Sequence, residues 1–181
     1  MTDLDIYLTA HFLDAPRFAA SCGITVDELD ELIQMRLVPA PSYTVTEAGT
    51  VSSFVFGTME SKGTVPGRYF HPVQVVWIDR ARSVCATHGP HAAYQELKER
   101  FVRNFQAALA SLNATTWRLM DSFNDDGSPI SVGLDARTDS AWKHFLHGTF
   151  GLCVASPISE AAIARKEVLQ EKLIQLSGDG S

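Results

Sequence analysis

The sequence predicts a mainly α-helical fold: an N-terminal helix-turn-helix unit with a small β-hairpin wing, packed on a bundle of four or five helices. Three observations carry this. Short capped helices separated by Gly and Pro fill the first forty residues, one Val/Thr/aromatic stretch follows, and long runs of 3.6-residue periodicity occupy the rest. With 181 residues, 45% hydrophobic and 20% charged, the chain can bury one core, or one core and a small appendage.

The first helix is expected over residues 3–13, with Leu4, Tyr7, Leu8 and His11 on one stripe. In the second, Asp14 is a good N-cap, Pro16 sits where its missing N–H is harmless, and Gly23 marks the stop. The third starts at Thr25, three residues before Glu28 as in a capping box, and its apolar stripe is Val26, Leu29, Ile33 and Leu37. Pro39 and Pro41 end it. Residues 42–45 and 51–56 read as a β-hairpin turning at Glu47-Ala48-Gly49, and residues 57–72 as a Gly- and Pro-punctuated loop.

Residues 73–87 read as a helix, although their β-branched residues also suit a strand. The clearest helix spans 91–112, with Tyr94, Leu97, Phe101, Phe105, Ala108 and Leu112 on one face. Further helices are expected over 114–123, near 137–147, and from Ser159 to Leu176, with a turn at Asn124–Pro129. The stripe Leu169, Leu173 and Leu176 suits either the core or the contact of a homodimer. Trp77, Trp117 and Trp142 read most simply as core. The organisation expected is a module at 1–60 and a helical bundle at 61–181, joined in one compact unit.

Net charge is −6 and only three cysteines occur, Cys22, Cys85 and Cys153, so a disulfide framework is not indicated. The first residues carry acid (Asp3, Asp5) where a signal peptide needs base, and no apolar run is long enough to span a bilayer. Cytoplasmic residence without membrane attachment is expected.

Phe18–Thr25 and Arg36–Pro41 resemble the start of the MerR-type winged-helix regulators, with two short helices around a Gly-containing turn and a Pro-rich lead into a β-wing. That resemblance implies DNA binding; the charges oppose it. The second helix of the pair carries Asp27, Glu28, Asp30 and Glu31 against the lone Arg36, and no Lys or Arg occurs between Arg36 and Lys62. A groove-reading helix must offer donors to bases and cations to phosphates. The module is therefore read as a packing unit or a protein-binding unit, and a DNA partner is disfavoured.

Three further stretches, Val38–Tyr43, Gly67–Pro72 and His144–Cys153, are similar to an uncharacterised bacterial family, a domain of unknown function sometimes labelled a natural-product biosynthesis protein. The resemblance implies no defined reaction.

Arg68, Tyr69 and His71 form the most suggestive candidate site. Arg68 could clamp a carboxylate or phosphate, and His71 titrates near neutrality. The alternative is structural: a packed Tyr69, an ion-paired Arg68, and Pro72 starting a helix. His144, His147 and Cys153 form a second cluster, in which a nucleophilic Cys153 would need a nearby base; its apolar neighbours Leu152 and Val154 favour a buried structural thiol. Cys85, His88 and His91 have spacing that could supply three metal ligands, but Gly89-Pro90 interrupts the helical geometry that would align them. No phosphate loop, dinucleotide fingerprint or Ser-His-Asp signature is present, and the sequence leaves any cofactor unknown. The leading expectation is a non-catalytic small-molecule- or protein-binding protein, possible partners including a second copy. The alternatives are an enzyme using His71 and the His144–Cys153 segment, and a transcriptional regulator.

Overall fold

The computed structural model describes residues 2–153 and 158–178. The fold is mainly helical, with one five-stranded antiparallel sheet in the order β1-β5-β2-β3-β4. The described residues fall into two compact units. One comprises the chain through Leu97 together with His144–Cys153; the other comprises Lys98–Lys143 and the chain beyond Cys153. No helix is long and apolar enough to cross a membrane among the described residues.

The first unit opens with α1 (Asp3–His11), capped by Thr2, whose side chain accepts from Asp5 N–H while the Asp5 carboxylate accepts from Thr2 N–H. The same carboxylate takes Val65 N–H at 2.8 Å, fastening the helix to a distant loop; these backbone donors hold the Asp5 carboxyl below the ordinary carboxylate range. After β1 (Leu13–Asp14), helix α2 (Ala15–Ser21) starts on Asp14, which caps Arg17 N–H at 2.9 Å. Helix α3 (Val26–Gln34) starts on Thr25, whose hydroxyl accepts from Glu28 N–H at 3.1 Å. The prolines were expected to end α3. Arg36 does so first, turning the chain at φ 59° so that Leu37 N–H reaches back to Leu32 O at 2.9 Å.

The hairpin forms as β2 (Tyr43–Val45) and β3 (Thr50–Ser53), pairing Thr44 with Ser52 and Val45 with Val51. The stretch 57–72, expected as a loop, instead holds two strands, β4 (Gly57–Glu60) on the far side of β3 and β5 (Gly67–Phe70) between β1 and β2. Strand pairing is decided by partners far away in sequence, so a four-residue strand between Gly and Pro leaves little local trace. One 3-10 turn, Pro72–Gln74, leads into α4 (Val75–His88).

The sheet separates two apolar clusters. On one side Leu8 and Phe12 pack with Tyr43, Val45, Val51 and Tyr69. On the other, Phe70 joins Phe18, Leu29, Leu37, Ile78 and Leu97, with Phe18 and Phe70 stacked at 4.7 Å. Adjacent residues of β5 thus feed opposite cores, as the two-residue period of a strand requires.

In the second unit, α5 (Pro90–Thr115) supplies Phe101, which stacks on Phe105 at 5.6 Å and meets Trp142 of α6 (Ser131–Leu146) at 5.1 Å. Along α5 the buried stripe includes Leu109, whereas Ala108 is only half-buried. The helix expected over 114–123 does not form. Thr116 and Trp117 both donate to Leu112 O, and Asn113 Oδ1 takes Leu119 N–H at 2.7 Å, so the chain leaves its helix in a side-chain-capped turn. The turn at 124–129 is as expected, Asn124 N–H bonding Ser128 O at 2.8 Å with Gly127 at φ 82°. Helix α6 begins at Ser131, well before the expected 137. Gly133 permits this: a Cβ there would lie 1.7 Å from Asp121 O.

Short helix α7 (Phe150–Cys153) belongs to the first unit, and α8 (Glu160–Gly178) starts on Ser159, whose hydroxyl takes Ala162 N–H at 3.1 Å. Leu169, Leu173 and Leu176 of α8 are exposed. Trp77 and Trp142 are core residues, while Trp117 is half-buried and donates to Gln175 Oε1.

Candidate functional site

Residues 67–71 lie on β5 and the turn after it, and their side chains diverge. Arg68 reaches α3 and grips Asp30 with its two terminal guanidinium nitrogens, the second bond at 3.2 Å. Tyr69 is buried in the α1 core and donates to Val65 O at 2.8 Å; burial, then Asp5 and Asp14, push its phenol above the ordinary value. His71 is half-buried. Its Nδ1 accepts Val73 N–H at 3.2 Å, capping the 3-10 turn, and its ring meets Phe12 edge-on at 5.6 Å. Burial, with His11 adding to it, holds the imidazole pKa below the ordinary value. Arg68 and Tyr69 thus do the structural work that the sequence left as their alternative use.

The His144–Cys153 segment folds against the β2 entry. Ala40 N–H donates to Leu146 O at 2.9 Å and Ser42 Oγ to Gly148 O at 3.0 Å. Gly148, at φ 74°, comes so close that a Cβ would lie 2.3 Å from Ala40 O. At Gly151 a Cβ would lie 2.6 Å from Ser42 Oγ and 3.0 Å from His71 Cβ, so this segment and the His71 turn are in direct contact.

Within the segment, His144 Nδ1 shares a hydrogen bond with Thr149 Oγ1 at 3.1 Å, and Cys153 Sγ donates to Thr149 O at 3.4 Å. Cys153 is exposed, which corrects the expectation of a buried thiol: Leu152 is half-buried in the α1 core and the next residue points outward. Val154, the other neighbour invoked for burial, lies outside the described residues.

His147, exposed just after α6, stacks on Phe54 at 4.1 Å and 20°, and His144 meets the same ring edge-on at 5.1 Å. Around this stack lies a depression of about 410 Å³ lined by Ala40, Pro41, Thr44, Ser52, Ser53, Phe54 and His147. Its floor belongs to the sheet face shared with Arg68 and Phe70, where Thr44 and Ser52 pair across strands. Ser52 Oγ donates to Thr44 O at 3.5 Å. The surface offers a flat aromatic wall beside hydroxyl groups. A second depression, about 500 Å³, lies between Glu47–Gly49 and Lys62–Pro66 and holds none of the residues picked from sequence.

Cys85, His88 and His91 straddle the α4–α5 junction. Cys85 is half-buried, its thiol pushed up by burial, and both histidines are exposed around Gly89 at φ 77°. No group of three His, Cys, Asp or Glu side chains is placed to hold a metal ion among the described residues.

Of the residues around this depression, the sequence singles out His147 and not Phe54, Thr44, Ser52 or Ser53. One signal was available: Phe54-Val55-Phe56 is a run of three apolar residues, which a strand alternating between core and solvent does not carry.

Residues 97–181, just under half of the chain, match the model of a family described as "Family of unknown function (DUF6058)". Of the three stretches read as family-like, His144–Cys153 lies inside the match and the other two precede it. No curated protein and no solved structure matches the chain.

Proposed function

We propose that the protein is a non-catalytic binding or accessory protein whose ligand surface is the depression beside the Phe54–His147 stack. The ligand class that suits it is a small molecule with a flat ring to lie on the stack and polar edges to meet Thr44, Ser52 and Ser53. The observation that carries the reading is the stack itself: an exposed histidine laid on a partly exposed phenylalanine above a hydroxyl-lined floor. The sequence resemblance to proteins labelled for natural-product biosynthesis accords with such a ligand.

Two other readings are less well supported. For an enzyme, a nucleophilic Cys153 needs a base to take its proton, and Cys153 Sγ donates to the backbone carbonyl of Thr149. For a MerR-like regulator, α2, α3 and the hairpin have the right order, but the cations that reach α3 are engaged. Arg68 grips Asp30, Arg82 lies 3.7 Å from Glu28, and Arg36 sits over the Tyr94 ring at 5.6 Å. Asp27 and Glu31 remain exposed on the outward face, where phosphates would have to approach.

The test is a thermal-shift and NMR titration with nucleosides, aromatic carboxylates and monosaccharides, run on wild type, Phe54→Ala and His147→Ala. Hits that stabilise wild type and are lost in both variants are expected. A panel without hits, or hits indifferent to both substitutions, refutes the reading. Micromolar, steeply salt-dependent binding of duplex DNA would replace it with gene control.

A further inference from the structure

The outer edge of the sheet carries a second, separate surface. All four residues of β4 are exposed, and no described strand pairs with its outer side. The direction of its backbone groups follows from the ladder. Ser61 N–H donates to Gly49 O at 2.8 Å, so residue 61 faces β3. The pairing continues as Thr50 with Glu60, Val51 with Met59 and Ser52 with Thr58. In an antiparallel ladder such bonds alternate, so Met59 also bonds towards β3, and the N–H and C=O groups of Thr58 and Glu60 point outward.

Natural edge strands are commonly guarded by Lys, Pro or a bulge. Strand β4 has no Lys or Pro, its register against β3 is unbroken, and it has one charge, Glu60. Met59 is 57% exposed although it stands beside buried Val51, and Phe56 just before the strand is 66% exposed.

We propose that β4 pairs antiparallel with β4 of a second copy of this chain about a two-fold axis at Met59, joining the two sheets edge to edge. The pattern is self-complementary in that register. Met59 faces Met59 of the second copy, Thr58 faces Glu60 with a hydroxyl opposite a carboxylate, and Gly57 faces Ser61, so no like charges are opposed. Thr58 and Glu60 exchange both backbone bonds, twice by symmetry, which uses all the outward groups of the strand. An axis at Thr58 would instead set Glu60 against Phe56 and Met59 against Gly57. Self-complementarity of this kind is what a two-fold interface demands, and it favours a second copy over an unrelated extended peptide.

Sedimentation of the full chain from low to high micromolar concentration is expected to show a reversible monomer–dimer equilibrium. Met59→Lys sets ammonium against ammonium and should weaken association at least about tenfold. Thr58→Pro removes an outward donor without touching a bond to β3 and should also dissociate the dimer. Circular dichroism checks that both variants remain folded. In a Cys153→Ser background, Met59→Cys should cross-link between chains on mild oxidation and Thr58→Cys should not, because directly opposed residues bring their Cβ atoms within disulfide reach. A chain that stays monomeric throughout, a dimer unmoved by Met59→Lys and Thr58→Pro, or cross-linking without preference for position 59 overturns the proposal.

Discussion

At the β5 end of the sheet both faces are covered, Tyr69 entering the α1 cluster and Phe70 the cluster of α2, α3 and α4. At the β4 end neither face is. Met59, Phe54 and Phe56 stand partly or largely in solvent, and the hydroxyls of Thr44 and Ser52 floor an open depression. The two ends of one sheet therefore differ in what they bury. Its covered end resists unfolding because Tyr69 and Phe70 each have apolar partners on their own side. Its open end keeps apolar and hydrogen-bonding surface that contributes little to the fold and suits recognition.

The largest test of this contrast is Phe70→Ala. Removing a ring that stacks on Phe18 at 4.7 Å in full burial should destabilise by about 3–5 kcal/mol, read from the urea midpoint. A loss under about 1 kcal/mol would mean that the covered end is not the stabilising one.

A smaller effect belongs to the margin between the two ends. Because burial lowers the His71 pKa in the folded state, the unfolded chain binds more protons in mildly acidic solution. Stability should then rise with pH, and be lost as pH falls below about 6.5, the ordinary imidazole value. His71→Asn keeps an acceptor for Val73 N–H while removing the titration, so the urea midpoint should fall less between neutral pH and pH about 5 than in wild type. An unchanged slope would place the acid sensitivity elsewhere.

The smallest effect is expected at the tip. Phe56→Ser should change stability by no more than about 0.5 kcal/mol, since the ring is mostly in water already. A loss comparable to that of Phe70→Ala would erase the distinction between the ends.

The helices were largely legible because their signals are local. Asp14, Thr25 and Ser159 cap as their side chains suggest, and the stripe of α3 packs as its spacing suggests. The failures are non-local. Strand β5 exists because β1 and β2 flank it, and β4 because β3 folds back on it. The turn after α5 depends on one side chain, Asn113, reaching Leu119 across six residues. The site was half legible. His144 and His147 were singled out as a pair, but the ring that both touch comes from Phe54, about ninety residues earlier. Arg68, the most suggestive single residue, is tied to an aspartate that the same sequence displayed as part of an acidic helix.

The alternation along β5 has a practical consequence for anyone who wishes to label the protein. Shifting that strand by one residue would send Tyr69 towards the helices of Phe18 and strand Phe70 against α1, so a single inserted amino acid there cannot be absorbed by sliding. The bend at Glu47-Ala48, whose side chains are solvated and which lies away from the Phe54 stack, is the place where an epitope or a fluorophore can be spliced in without disturbing either core.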